Sequence, residues 1–210
     1  DFVKFATRDI TANGVPELIF YGWSGGAHCC HTAHIIELNK PLSILWSFDM
    51  RDAWAEILDI NGDGVMEIKT WDSSFYYNDW GRIQGWGADI ILSLDNKTKK
   101  YMVNTNMMQK APPSQKELEK MASNVYWPLD SSTTLLNGRI MPFVLNDTIN
   151  LIYTGNAKLL SNYINLIWRE HEDESKFASK KDFLEELPKI LKESPYYKDV
   201  SPNLVDIPKL

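Results

Sequence analysis

Asp9-Ile10-Thr11-Ala12-Asn13-Gly14-Val15-Pro16-Glu17 and Asp59-Ile60-Asn61-Gly62-Asp63-Gly64-Val65-Met66-Glu67 are two versions of one nonapeptide, set 50 residues apart. In both, oxygen-bearing side chains stand at positions 1, 3, 5 and 9, with glycine at 6 and valine at 7. A strand-like run precedes and follows each copy, so the repeat reads as a strand–loop–strand unit used twice.

Around the two copies, short runs rich in aromatic and β-branched residues recur at Phe2–Phe5, Glu17–Tyr21, Thr32–Leu38, Leu42–Phe48, Trp54–Leu58, Glu67–Trp71, Ala88–Leu94 and Lys100–Val103. Most are separated by Gly, Asn, Asp or Pro, the punctuation of antiparallel sheets. After Met108 the pattern changes. Ala111-Pro112-Pro113 breaks the chain, and Ser114 with Glu117 forms a capping-box start for a helix ending near Asn124. Pro142 opens a second helix with Leu145, Ile149 and Ile152 on one face, and Gly155 stops it. Asn156 is placed to cap a third helix bearing Leu160, Tyr163, Ile164, Ile167 and Trp168, which completes an αα-hairpin. A last helix starts at Ser179, carries Phe183, Leu187 and Ile190, and contains Pro188 as a kink point; the tail from Ser194 reads as extended. The expected class is α+β: an antiparallel β-rich domain over residues 1–107, then a helical domain over 108–210 packed against it.

The chain of 210 residues is 44% apolar, enough to bury a core. With 22 basic against 28 acidic residues the net charge is −6, and no Lys/Arg cluster offers a nucleic-acid footprint. Apolar stretches such as Ile90–Leu92 fall far short of the roughly 20 residues that span a bilayer. The chain opens on Asp1 with no leader-like segment, which predicts either a removed leader or a start inside a longer protein.

The repeat has the chemistry of a hard-cation loop. Ca²⁺ takes six to eight oxygens, and alternate residues of a tightly coiled loop can all turn oxygens inward. The second copy offers Asp59, Asn61, Asp63, the Val65 carbonyl and Glu67, three of them charged. The first offers Asp9, Thr11, Asn13, the Val15 carbonyl and Glu17, two of them charged, so a weaker second site is expected. An EF-hand is rejected by counting: it needs Glu at position 12, where Phe20 and Thr70 stand, and helices where this chain has strands. The competing reading takes the Asn-Gly and Asp-Gly pairs as ordinary turn residues.

These units resemble FG-GAP or VCBS repeats of extracellular proteins, over about residues 1–75 and on short motifs. The resemblance implies that each unit belongs to a β-propeller blade and that its loop binds structural calcium. A closed propeller takes at least about four blades and two are legible, so an open pair is expected. The Ser24–Cys30 segment together with the helical tail is similar to uncharacterised exported bacterial proteins, a likeness that brings no activity.

His28-Cys29-Cys30-His31-Thr32-Ala33-His34 holds three of the four histidines and both cysteines. On a strand His28, Cys30 and His34 would share one face, a candidate transition-metal set. Cys29 and Cys30 form a vicinal disulfide or remain thiols. Trp71, Tyr76, Tyr77, Trp80 and Trp86, interleaved with Asp, Asn and Ser, form a candidate surface for a carbohydrate or protein partner, the alternative being that they pack the two halves together. Trp23, Trp46 and Trp54 are expected in the core.

No nucleophile elbow, phosphate-binding Gly loop, HExxH or Rossmann fingerprint occurs in the chain. The leading expectation is an exported, calcium-stabilised binding or scaffold protein. The alternative is a hydrolase or transition-metal protein using the His28–His34 segment.

Overall fold

A computed structural model describes residues 2–25, 31–75, 87–124, 142–169 and 180–204. The chain forms two compact units: Asp1–Ser73 with Asp89–Met107, and Ser74–Ala88 with Met108–Leu210.

The first unit holds two four-stranded antiparallel sheets, each a simple meander. Strands β1 (Phe2–Arg8), β2 (Glu17–Trp23), β3 (His31–Glu37) and β4 (Ser43–Arg51) form one; β5 (Glu56–Leu58), β6 (Glu67–Trp71), β7 (Asp89–Asp95) and β8 (Lys100–Val103) form the other. The nonapeptide occupies the same place in both, joining first strand to second. Arg8 pairs with Glu17 across the first hairpin, and Leu58 with Glu67 across the second.

Side chains alternate across each sheet, so register decides which face is buried. In the first sheet Ile19, Ile35 and Trp46 lie in one cross-strand row, with Ala33 on the same face, and all are buried. In the second, Ile68, Ile90, Leu92 and Tyr101 share the buried face. Register shifts in the β3–β4 pairing leave Leu45 and Met50 outside the pairs, and both are buried. The two sheets are tied by the Tyr21 hydroxyl donating to Ala55 O at 3.3 Å, by the Lys100 ammonium donating to Ile44 O, and by the contacts between the loops described below.

The tryptophans depart from expectation. Trp46 is buried, whereas Trp23 at the end of β2 and Trp54 ahead of β5 are 39% and 49% exposed. Trp54 lies outside the strand, since β5 begins only at Glu56. Trp71, for which a ligand surface and a packing role were both open, is 8% exposed. It ends β6, opposite Asp89 of β7.

The second unit is helical: α1 (Thr105–Met108, whose first residues belong to the first unit), α2 (Gln115–Ser123), α3 (Pro142–Tyr153), α4 (Leu160–Arg169), α5 (Lys180–Leu191) and α6 (Tyr197–Val200). The capping box is present: Glu117 N–H donates to Ser114 Oγ at 3.3 Å, and Ser114 N–H donates to the Glu117 carboxylate at 2.7 Å. Gly155 ends α3 with φ +75°, the left-handed stop that glycine adopts without strain. Leu145, Ile149, Ile152, Tyr163, Ile164, Ile167, Phe183 and Ile190 are buried. Phe75 meets Tyr153 edge-on at 6.5 Å, and Tyr153 OH lies 3.0 Å from Ser194 Oγ.

Two local expectations are corrected. Asn156 does not cap the following helical turn: its amide donates to Lys110 O and Thr154 O, both at 3.2 Å, tying the hairpin turn to the segment before α2. The tail from Ser194 turns through α6 and a 3-10 turn over Ser201–Leu204 instead of running extended. Tyr196 and Val200 are buried there, and that burial supports the helical turn.

Candidate metal centre

Both loops are built on one hydrogen-bond frame. The aspartate at position 1 accepts from backbone N–H groups ahead of it: Asp9 from Asn13 and Gly14 at 3.3 and 2.9 Å, Asp59 from Gly62 and Gly64 at 2.7 and 3.2 Å. The position-5 side chain accepts from the valine N–H at position 7, at 2.8 Å in each loop. The glutamate at position 9 closes the turn by accepting from the N–H at position 2, from Ile10 at 2.7 Å and from Ile60 at 2.9 Å.

The backbone repeats as closely as the bonding. Positions 4 and 6 are left-handed in both copies: Ala12 and Gly14 at φ +56° and +85°, Gly62 and Gly64 at +79° and +87°. Position 6 is glycine in both. Position 4 is alanine in the first loop, which carries the steric cost that Gly62 avoids.

The side chains then diverge. In the second loop Asn61 Nδ2 donates to Asp63 Oδ2 at 3.0 Å and to Glu67 Oε1 at 3.4 Å. Two carboxylates from positions 5 and 9 thus converge on one point inside the loop, now filled by the partly positive amide. Glu67 is only 2% exposed, and no Lys or Arg forms an ion pair with it among the described residues. The donor set therefore fits a hard cation, with Asp59, Asn61, Asp63, the Val65 carbonyl and Glu67 as the oxygens. Among the described residues no three His, Cys, Asp or Glu side chains close on one point, because Asp59 is turned toward the backbone N–H groups of Gly62 and Gly64.

In the first loop Thr11 Oγ1 donates to Glu17 at 3.1 Å, the counterpart of the Asn61–Glu67 contact. Asn13, however, donates its amide to Glu37 of β3 at 2.6 Å, and Asn39 donates to the other oxygen of Glu37. Glu17 and Glu37 are direct partners across β2 and β3. Glu17 is fully buried, and that burial pushes its carboxyl above the ordinary range. The Ile10 N–H and the Thr11 hydroxyl oppose the shift, while Asp9 and Glu37 add to it. Glu37 lies 20 residues from Glu17, beyond any local motif, so only the pairing of β2 with β3 reveals its part.

The loops touch. Met66 N–H donates to Ile10 O at 2.8 Å, and Tyr101 OH donates to Met66 O at 3.0 Å. Burial raises the Tyr101 phenol far above its usual value, and the carboxylates of Glu17 and Glu67 both add to this.

Of the other candidates, His28, Cys29 and Cys30 lie outside the described residues, as do Tyr76, Tyr77, Trp80 and Trp86. His34 is on the sheet face opposite Ile35, its Nδ1 2.8 Å from Ser47 Oγ and its ring 5.7 Å from that of Phe20. His31 stacks on Trp23 at 6.3 Å. No helix among the described residues is long and apolar enough to cross a membrane. Comparison with protein-family models, curated proteins and solved structures returns no match.

Proposed function

We propose that this chain is an exported binding or scaffold protein whose two-sheet unit is stabilised by calcium in the Asp59–Glu67 loop. The observation that carries the reading is Glu67: a carboxylate 2% exposed, with no Lys or Arg partner among the described residues, aimed with Asp63 at one point of the loop. In this loop the carboxylate is answered only by the Ile60 N–H and the Asn61 amide, and a cation would give it a full opposite charge. Calcium would supply that charge, drawing Asp59, Asn61, Asp63, the Val65 carbonyl and Glu67 around it. The role is structural, because the loop joins β5 to β6, beginning directly after Leu58 and ending on Glu67, the first residue of β6.

The Asp9–Glu17 loop is the weaker partner. Its position-5 side chain is engaged by Glu37, and positions 3 and 5 bring no charge. Export follows from the same chemistry: open loops with few charged ligands bind in the range of about 10⁻⁴–10⁻³ M, which suits extracellular calcium. The partner is a protein or a carbohydrate.

Elemental analysis and thermal melting test the reading together. The protein dialysed against about 10 mM calcium should hold near one equivalent, lose melting temperature in excess chelator, and regain it with calcium but poorly with magnesium, which demands tighter octahedral geometry. A melting curve unchanged by chelator overturns the reading, and stoichiometric zinc or copper in its place favours a transition-metal protein.

A further inference from the structure

Val65 and Met66 share one peptide plane. At one end is the Val65 carbonyl, a ligand in the calcium reading on which this inference rests. At the other is the Met66 N–H, which donates to Ile10 O of the first loop at 2.8 Å. Ile10 is fully buried, and its own N–H donates to the Glu17 carboxylate at 2.7 Å. The carbonyl of Met66 is held in turn by the Tyr101 hydroxyl at 3.0 Å.

A cation drawing electron density through the Val65 carbonyl makes the N–H of the same amide a stronger donor. Hydrogen bonds in series polarise one another, most effectively where water is excluded. The link has a direction. Position 8 of the first loop is Pro16, which has no N–H, so the first loop has no equivalent bond to give.

We propose that the Val65–Met66 peptide couples the two loops, so that a cation bound at Asp59–Glu67 orders the Asp9–Glu17 loop. The first loop is then a dependent element whose state follows the second, which makes the two sheets answer calcium as one body.

The test is a calcium chloride titration of the full chain, followed by the backbone amide resonances of Gly64 in the second loop and of Ile10 and Gly14 in the first. In the wild type all three should shift with one midpoint, and hydrogen exchange at Ile10 should slow about tenfold or more in calcium. Met66→Pro removes the N–H and keeps the Val65 carbonyl, reproducing the Val15-Pro16 pair that the first loop already accommodates. There Gly64 should still titrate while Ile10 and Gly14 stay still; Met66→Ala should keep all three responses.

Movement of Gly64 alone in the wild type, or an unchanged Ile10 response in Met66→Pro, overturns the coupling and leaves the calcium reading standing. A Gly64 resonance that ignores calcium removes both. Should Met66→Pro fail to fold, Asp63→Asn decides the matter. Coupling requires Gly14 to fall silent along with Gly64, whereas a Gly14 shift with its own midpoint makes the first loop an independent site and overturns the proposal.

Discussion

Replacing Glu67 by Gln keeps the shape of the side chain and removes its charge, and the two effects carry opposite signs with and without calcium. In the calcium-free protein a carboxylate 2% exposed and without a Lys or Arg partner among the described residues becomes a neutral amide, and its carbonyl oxygen can still accept from Ile60 N–H, now at 2.9 Å. The charge-assisted bond weakens by about 1 kcal/mol, and the Asn61 amide, 3.4 Å from the other carboxylate oxygen, loses its acceptor. The desolvation penalty that disappears amounts to several kcal/mol per ion. The variant should therefore be the more stable by about 1–2 kcal/mol in chelator, once loop relaxation offsets part of the gain. With calcium at a hundredfold excess over its dissociation constant the wild type gains about 2.7 kcal/mol, which the variant forgoes with its closing ligand. The order then reverses, and wild type leads by about 1 kcal/mol, a margin of about 2–4 °C for a chain of this length. Melting curves of both proteins in chelator and in calcium measure all four values. A variant less stable than wild type in chelator, or one that keeps the full calcium shift, refutes the reasoning.

Glu17 bears on the same question through pH. Its carboxyl is raised above the ordinary range by burial, so the folded state holds a proton more tightly than the unfolded chain and stability falls as pH climbs through that interval. In chelator Glu17→Gln should match wild type at about pH 4 and exceed it at about pH 7; a constant difference across the range would speak against the shift. Asn13→Asp replaces the amide that donates to Glu37 at 2.6 Å by a third carboxylate beside Glu17 and Glu37. It should lose about 1–3 kcal/mol in chelator yet bind a second calcium equivalent by calorimetry, and a stoichiometry still at one equivalent would exclude the first loop as a latent site. In the helical unit the Tyr163 hydroxyl donates to Asp147 at 2.7 Å, and burial raises the Asp147 carboxyl against the opposing effect of that bond. Tyr163→Phe should cost about 1–3 kcal/mol at neutral pH, where the carboxylate loses its donor, and less near pH 4. Equal losses by denaturant melts at both pH values would place the cost in packing.

Much of the architecture was legible because its causes are local. The Ser114–Glu117 box and the stop at Gly155 each depend on residues within one turn, and the structure places both as read; the two nonapeptides, equally local, fold as matching turns between the first and second strands of their sheets. Trp23 and Trp54 were expected in the core and lie half-exposed for the opposite reason. Trp54 and Trp71 have similar β-rich neighbourhoods in the chain, and what separates them is strand position: Trp71 lies within β6, opposite Asp89 of β7, while Trp54 stands before an edge strand begins. Asn156 has the composition of a helix cap but finds stronger partners in Thr154 and Lys110, the latter 46 residues away.

Residue type and spacing alone established that the loop occurs twice, that glycine at position 6 permits its sharp turn, and that the second copy carries more charge than the first. Those properties follow from residue type and spacing, and no distant contact is needed to state them. What surrounds the loops depends on contacts between distant segments: Glu37 drawn beside Glu17 by the pairing of β2 with β3, Glu67 buried without a Lys or Arg partner among the described residues, and Met66 bonded to Ile10 across the two sheets. Burial and register are set by residues far apart in the chain, and they govern the electrostatics because removing water magnifies every charge left behind.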